Sequence, residues 1–185
     1  MRLLLSLAFA AFAALAASCA NPLNRVTSDR YHDECAAAKR AGNLALAEQL
    51  CYRSLVNVDI GNLGPELKSQ RLYNLARIKR RVSKFSEAED LLRQSIVLEE
   101  KLSGQSSVPM ARRFAELSVN LAGLNRWNEG VIYLKQLVPI SSQFSGSERS
   151  FIITVLREYA KHLERTGESA LAEALVQQAN TLTLQ

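Results

Sequence analysis

The chain has 185 residues, 48% of them hydrophobic and 22% charged, with a formal net charge of +5. That is the composition of an ordinary globular protein with one core of useful size, and too little charge to argue for nucleic acid without a concentrated basic patch. Eight glycines and four prolines among abundant alanine and leucine point to an all-α chain.

In chain order, residues 1–18 stand apart. Arg2 is followed by an apolar run from Leu3 to Ala17 broken only by Ser6. Fifteen residues are too few to span a bilayer comfortably, and small residues crowd the far end, so this stretch reads as an export signal. The next residues, Leu15-Ala16-Ala17-Ser18-Cys19, resemble the lipobox of bacterial lipoproteins, with Ala16 where leucine is most usual. The resemblance implies cleavage before Cys19 and lipidation of that cysteine, with residues 19–29 as lipidated cysteine and tether. Ala20, in place of aspartate, implies an outer-membrane lipoprotein facing the periplasm. Ordinary cleavage after Ala20, giving a soluble periplasmic protein, is the alternative.

A first helical hairpin is expected over about 30–58, turning at Gly42-Asn43, with Cys35 and Cys51 on its two helices nearly equidistant from the turn. They are candidates for a disulfide in an oxidising compartment. Two buried free thiols are the other reading, and no metal site is expected with His32 as the sole histidine nearby. Pro65 suits the first turn of the next helix, and a second hairpin is expected over 66–102 with its turn at Ser83. A third covers about 109–143, broken at Asn125-Arg126, with Pro139 ending or kinking its second helix and a polar linker over 141–147. The fourth runs about 148–182 and turns at Thr166-Gly167.

These hairpins are copies. A shift of forty-two residues pairs Leu72 with Phe114 and Leu156, Ser83 with Asn125 and Gly167, and Leu92 with Leu134 and Val176. A fixed period carrying one helical hairpin per unit marks a helical solenoid. The pattern Asn74-Leu75-Ala76, then Ser83 to Ala88, then Leu92 resembles the tetratricopeptide repeat (TPR), and the long period resembles its kinesin-light-chain variant. The resemblance covers 30–182 and implies a right-handed superhelical solenoid of about four antiparallel hairpins. Small residues (Ala76, Ala88, Ser95) fall where helices touch, and large ones (Leu72, Phe85, Leu92) where they interlock. Lys79, Glu34 and Ser169 depart from the pattern.

Catalysis is poorly supplied. His32 and His162 lie in different repeats, and no phosphate loop, nucleophile elbow or HExxH is present. No enzyme activity, catalytic residue, metal or cofactor is expected. Binding is better supplied. Tyr73, Arg77, Arg80 and Arg81 share one face of a helix, with Arg112 at the rim of the third hairpin and Arg157 and Lys161 on the fourth. The family resemblance implies peptide binding in the concave groove, with Asn74 at the position whose amide often holds a ligand backbone. Arginine suits carboxylates, so the expected partner is a protein or peptide with an acidic segment or carboxyl terminus. The leading reading is a lipid-anchored envelope adaptor acting in assembly or secretion. The alternatives are a self-associating structural envelope protein (a homo-oligomer) and a regulatory subunit of a cell-wall enzyme.

Overall fold

The structure, a computed structural model, describes residues 21–184, so the expected export signal and Cys19 lie outside the described residues. Among those residues there are eight α-helices and no strand: α1 (Pro22–Arg40), α2 (Leu44–Ile60), α3 (Pro65–Arg81), α4 (Phe85–Ser103), α5 (Val108–Gly123), α6 (Trp127–Leu137), α7 (Gly146–Thr166) and α8 (Ser169–Thr183). They form two compact units that divide at Lys68/Ser69.

Each hairpin turns on one device. After α1, α3, α5 and α7 the chain passes through a left-handed residue: Gly42 at φ 77°, Ser83 at 61°, Asn125 at 59° and Gly167 at 88°. The next N–H reaches back five residues at every turn. Asn43 donates to the Ala38 carbonyl, Lys84 to Lys79, Arg126 to Leu121 and Glu168 to Leu163, at 2.8–3.0 Å. This is the Schellman motif, which satisfies carbonyls that the helix end leaves open. Its recurrence in one register is the structural form of the repeat.

The first unit holds α1 and α2 face to face. Cys35 and Cys51 are bridged across them with their Cα atoms 5.4 Å apart. Further along, Ser28 Oγ donates to the Ser54 carbonyl at 2.9 Å and Ser54 Oγ to the Ser28 carbonyl at 2.8 Å. These buried hydroxyls clasp the two helices to one another. Ala38, Ala47, Leu50, Leu55 and Val58 are also buried in this hairpin.

One expectation needs correcting. Residues 22–29 are not tether, because α1 starts at Pro22. Asn21 Oδ1 accepts from the Leu23 N–H at 3.0 Å and proline occupies the first turn, a strong N-terminal signature. Burial of Ser28 in the clasp ties this added turn to α2.

The second unit repeats the clasp. Ser95 Oγ donates to the Ser69 carbonyl at 2.8 Å, and Ser69 Oγ lies 3.1 Å from the Ser95 carbonyl, forty-one residues on from the first pair. One repeat further the positions become Ala111 and Leu137, both fully buried, and packing replaces the hydrogen bonds. The main core joins α5–α8 through Met110, Phe114, Leu134, Leu137, Ile152, Leu156, Tyr159 and Leu163. Each such side chain contributes about 1.5–3 kcal/mol on burial. A smaller cluster of Ala76, Leu92, Leu117 and Leu121 fastens α3 and α4 to α5.

Pro139 has the expected effect: α6 stops at Leu137 and the chain continues as a 3₁₀ segment over Val138–Gln143. The residues that follow are not a simple polar linker. Ile140, Ser141 and Phe144 are buried, and Ser141 Oγ accepts from Gln178 Nε2 of α8 at 2.8 Å.

Candidate functional site

A cavity of about 250 Å³ opens within the second unit, among the first helices of three successive hairpins. Tyr73, Arg77 and Arg80 come from α3, Arg112, Ala115 and Glu116 from α5, and Ser147, Glu148, Phe151 and Ile152 from α7, with Phe144 just before it. Hairpin copies packed in one register turn equivalent helix faces the same way, so four of the expected groove residues (Tyr73, Arg77, Arg80 and Arg112) meet here. The other four do not line this cavity. Asn74 and Arg81 share α3 but lie off it, Asn74 half-buried and Arg81 exposed. Arg157 turns instead towards its own hairpin partner, with Nη2 3.4 Å from Asn180 Oδ1 and Thr183 Oγ1 of α8. Lys161 is exposed one turn further along α7.

The charges are not those of an open basic groove. Glu116, only 2% exposed, accepts from Arg77 Nε at 2.9 Å and from Arg80 Nε at 3.0 Å. Arg112 forks onto Glu148 through Nε at 2.6 Å and Nη2 at 2.9 Å. Three arginines thus face two carboxylates. The pairs differ in kind. Glu116 is sequestered, so separating it from its arginines would strand a buried charge, which costs several kcal/mol. The Arg112–Glu148 pair is 39% and 47% exposed, and a pair so open contributes about 1 kcal/mol at most.

Tyr73 is the hub of the wall. Its ring lies 5.4 Å from the Arg77 guanidinium and 5.1 Å from that of Arg113 on α5. Burial, helped by Glu116, pushes its phenol up to about 12, so it stays neutral and a donor across the physiological range. Burial pulls the Arg77 guanidinium down, but the Tyr73 phenolate that strong alkali would form, together with Glu116, holds it above its ordinary value. Behind the wall Arg113 is locked in place. Nη2 pairs with Glu99 Oε2 at 2.7 Å, Nε donates to Ser95 Oγ at 2.7 Å, and Nη1 donates to the Pro109 carbonyl at 2.8 Å. Burial lowers the Arg113 guanidinium despite the nearby Glu99. Both members of this ion pair are buried and hydrogen-bonded, a condition for such a pair to persist in a core.

The residues not expected from sequence are Glu116, Glu148, Phe144, Phe151 and Ile152. Glu116 had a signal: the forty-two-residue shift places it on Asn74, the polar position of the preceding repeat. Phe144 had none, because it lies outside the hairpin register. His162 stacks on Trp127 with ring centroids 4.2 Å apart, away from this cavity.

No family model matches the sequence, and no curated protein is similar enough to it to count as a relative. Solved structures do match. A kinesin-light-chain-type protein of Podosopora anserina with nearly identical TPR-like repeats superposes at TM-score 0.65 and 20% identity, covering 84% of this chain and 74% of that one. BtubC (BKLC) from P. vanneervenii superposes at TM-score 0.76 and 16% identity, over 87% of this chain and 65% of its own. The fold is that of a TPR-like helical repeat protein. Identities this low establish the fold alone. TPR-like repeats are commonly protein-interaction scaffolds.

Proposed function

We propose that the chain is a non-catalytic adaptor of the bacterial envelope, anchored by lipid at Cys19 and binding a peptide segment of another envelope protein in the α3/α5/α7 cavity. The observation that carries this reading is the pairing in that cavity of a fixed ion cluster with an exchangeable one. Arg77 and Arg80 are committed to buried Glu116. Among the described residues Arg112 pairs with half-exposed Glu148, so an incoming carboxylate can replace Glu148 at the fork without stranding a charge. The apolar wall of Phe144, Phe151 and Ile152 suits a side chain next to that carboxylate. The partner is therefore an acidic segment or carboxyl terminus that brings an apolar residue. The Cys35–Cys51 bridge supports an oxidising compartment, in keeping with export to the periplasmic face of the outer membrane.

The test is a cross-linked pull-down from intact envelopes, comparing wild type with Arg112→Glu and with Arg77→Glu/Arg81→Glu. A defined partner recovered by wild type and lost with Arg112→Glu supports the reading. A partner retained by both variants moves the binding surface elsewhere, and recovery of the chain alone favours self-association.

A further inference from the structure

The end of the first hairpin carries an apolar apex that the core does not use. The Asn21 N–H donates to the Gly61 carbonyl at 3.1 Å, pinning the start of α1 against the end of α2. Asn24 lies so close to Gly61 that a β-carbon on the glycine would press on the Asn24 side chain. Beside this junction Ile60 is 71% exposed, and Leu23 and Val26, three residues apart on one face of α1, are 76% and 69% exposed. Only Leu184, at the far end of the described chain, exceeds them among the exposed large apolar side chains.

Two ion pairs flank the apex. Arg25 pairs with Asp29 at 2.9 Å, and Lys68 with Asp59 at 2.8 Å. Charged side chains on either side of the apex are thus paired with one another.

Its position along the chain says what covers it. Asn21 follows Cys19 by two residues, and an extended chain spans at most about 3.6 Å per residue, so the two Cα atoms lie within about 7 Å. With the acyl chains of Cys19 in a leaflet, the apex is confined to the headgroup layer, where apolar side chains are drawn out of water. We propose that Leu23, Val26 and Ile60 seat the first hairpin on the membrane surface and hold it at a set orientation there. The proposal rests on the reading of Cys19 as the lipid anchor.

The test uses the full-length exported protein, purified and reconstituted into phosphatidylcholine/phosphatidylglycerol vesicles with brominated acyl chains. Tryptophan is placed at the apex (Leu23→Trp) or at an exposed site eight residues before Ile60, about 12 Å back along α2 (Tyr52→Trp). Quenching of Trp127 in the parent protein is subtracted. Mass spectrometry of the N-terminal peptide reports the lipid separately. The expected result is quenching of Leu23→Trp at least about threefold stronger than of Tyr52→Trp. It should not change between about 0.05 and about 0.5 M salt. Equal quenching at both sites in a lipidated protein overturns the seating and leaves the anchor reading standing. Strong apex quenching in a protein without lipid supports the seating and removes the anchor. No quenching and no lipid overturn both, and quenching abolished by salt overturns the apolar account.

Discussion

The hydroxyl of Tyr159 on α7 fills the space that a side chain on Gly130 of α6 would need, and it donates from there to the Ser118 carbonyl of α5 at 2.7 Å. The glycine carbonyl in turn accepts from Ser118 Oγ at 3.1 Å, so three helices meet at one point. Gly130→Ala should destabilise the protein by about 1–3 kcal/mol, the usual range for overpacking. In a Tyr159→Phe background the same substitution should cost less, because the overlapping oxygen is gone. Urea denaturation of the four proteins of this cycle checks it, and equal costs in both backgrounds would rule out the clash as the cause.

Glu99 neutralises the buried Arg113 guanidinium. Glu99→Gln keeps the shape and removes the charge, leaving a buried cation uncompensated, and should cost about 3–5 kcal/mol. Replacing both residues together (Glu99→Leu/Arg113→Met) should cost less than the single change. Because Arg113 backs Tyr73, the single variant should also weaken partner binding in the pull-down.

Ser83 holds the left-handed turn position that Gly42 and Gly167 fill elsewhere. A side chain there costs about 1–2 kcal/mol relative to glycine, partly offset by the freedom glycine adds to the unfolded chain. Ser83→Gly should therefore raise stability by about 0.5–1 kcal/mol, read as a higher urea midpoint with an unchanged slope.

The Cys35–Cys51 bridge closes a loop of about fifteen residues, worth about 3 kcal/mol in the unfolded-state entropy account. Reduction, or Cys35→Ala/Cys51→Ala, should lower the stability of the first hairpin by up to that amount. Hydrogen exchange in α1 and α2 should rise first, since the bridge lies within the first unit.

Tyr73 gives the protein a pH dependence at the alkaline end. Its folded value of about 12 lies above the ordinary 10, so its contribution is complete below pH 10 and is lost as pH rises through 12. Burial pushes the Tyr159 phenol up as well, so the check is a difference: in the alkaline absorbance titration of the five tyrosines, Tyr73→Phe should lose one phenol's share of the change above pH 10 and none of that below it. A loss confined to the range below pH 10 would mean that the Tyr73 phenol is not raised.

Much of this architecture depends on near neighbours in the chain. A glycine, asparagine or serine at residues 42, 83, 125 and 167 ends one helix and starts the next by backbone geometry alone, so a period read along the chain places every hairpin turn. Apolar spacing between those turns then marks the buried faces, as at Leu72, Leu92, Leu117 and Leu134. The start of the first helix depends on a distant neighbour instead: Asn21-Pro22 is a cap only if the turn it begins has a face to bury, and Ser28 finds that face in Ser54, twenty-six residues away.

The cavity belongs to the second kind of information. Counting arginines along α3 makes a basic stripe, yet Glu116 on α5 takes up two of those cations, and Glu148 on α7 takes up Arg112 of α5. Periodicity orients a helix but carries no record of which charge lies across from it. Ion pairing, the burial of Phe144 and the joining of Cys35 to Cys51 are set by distances between elements, which exist only once the helices have packed.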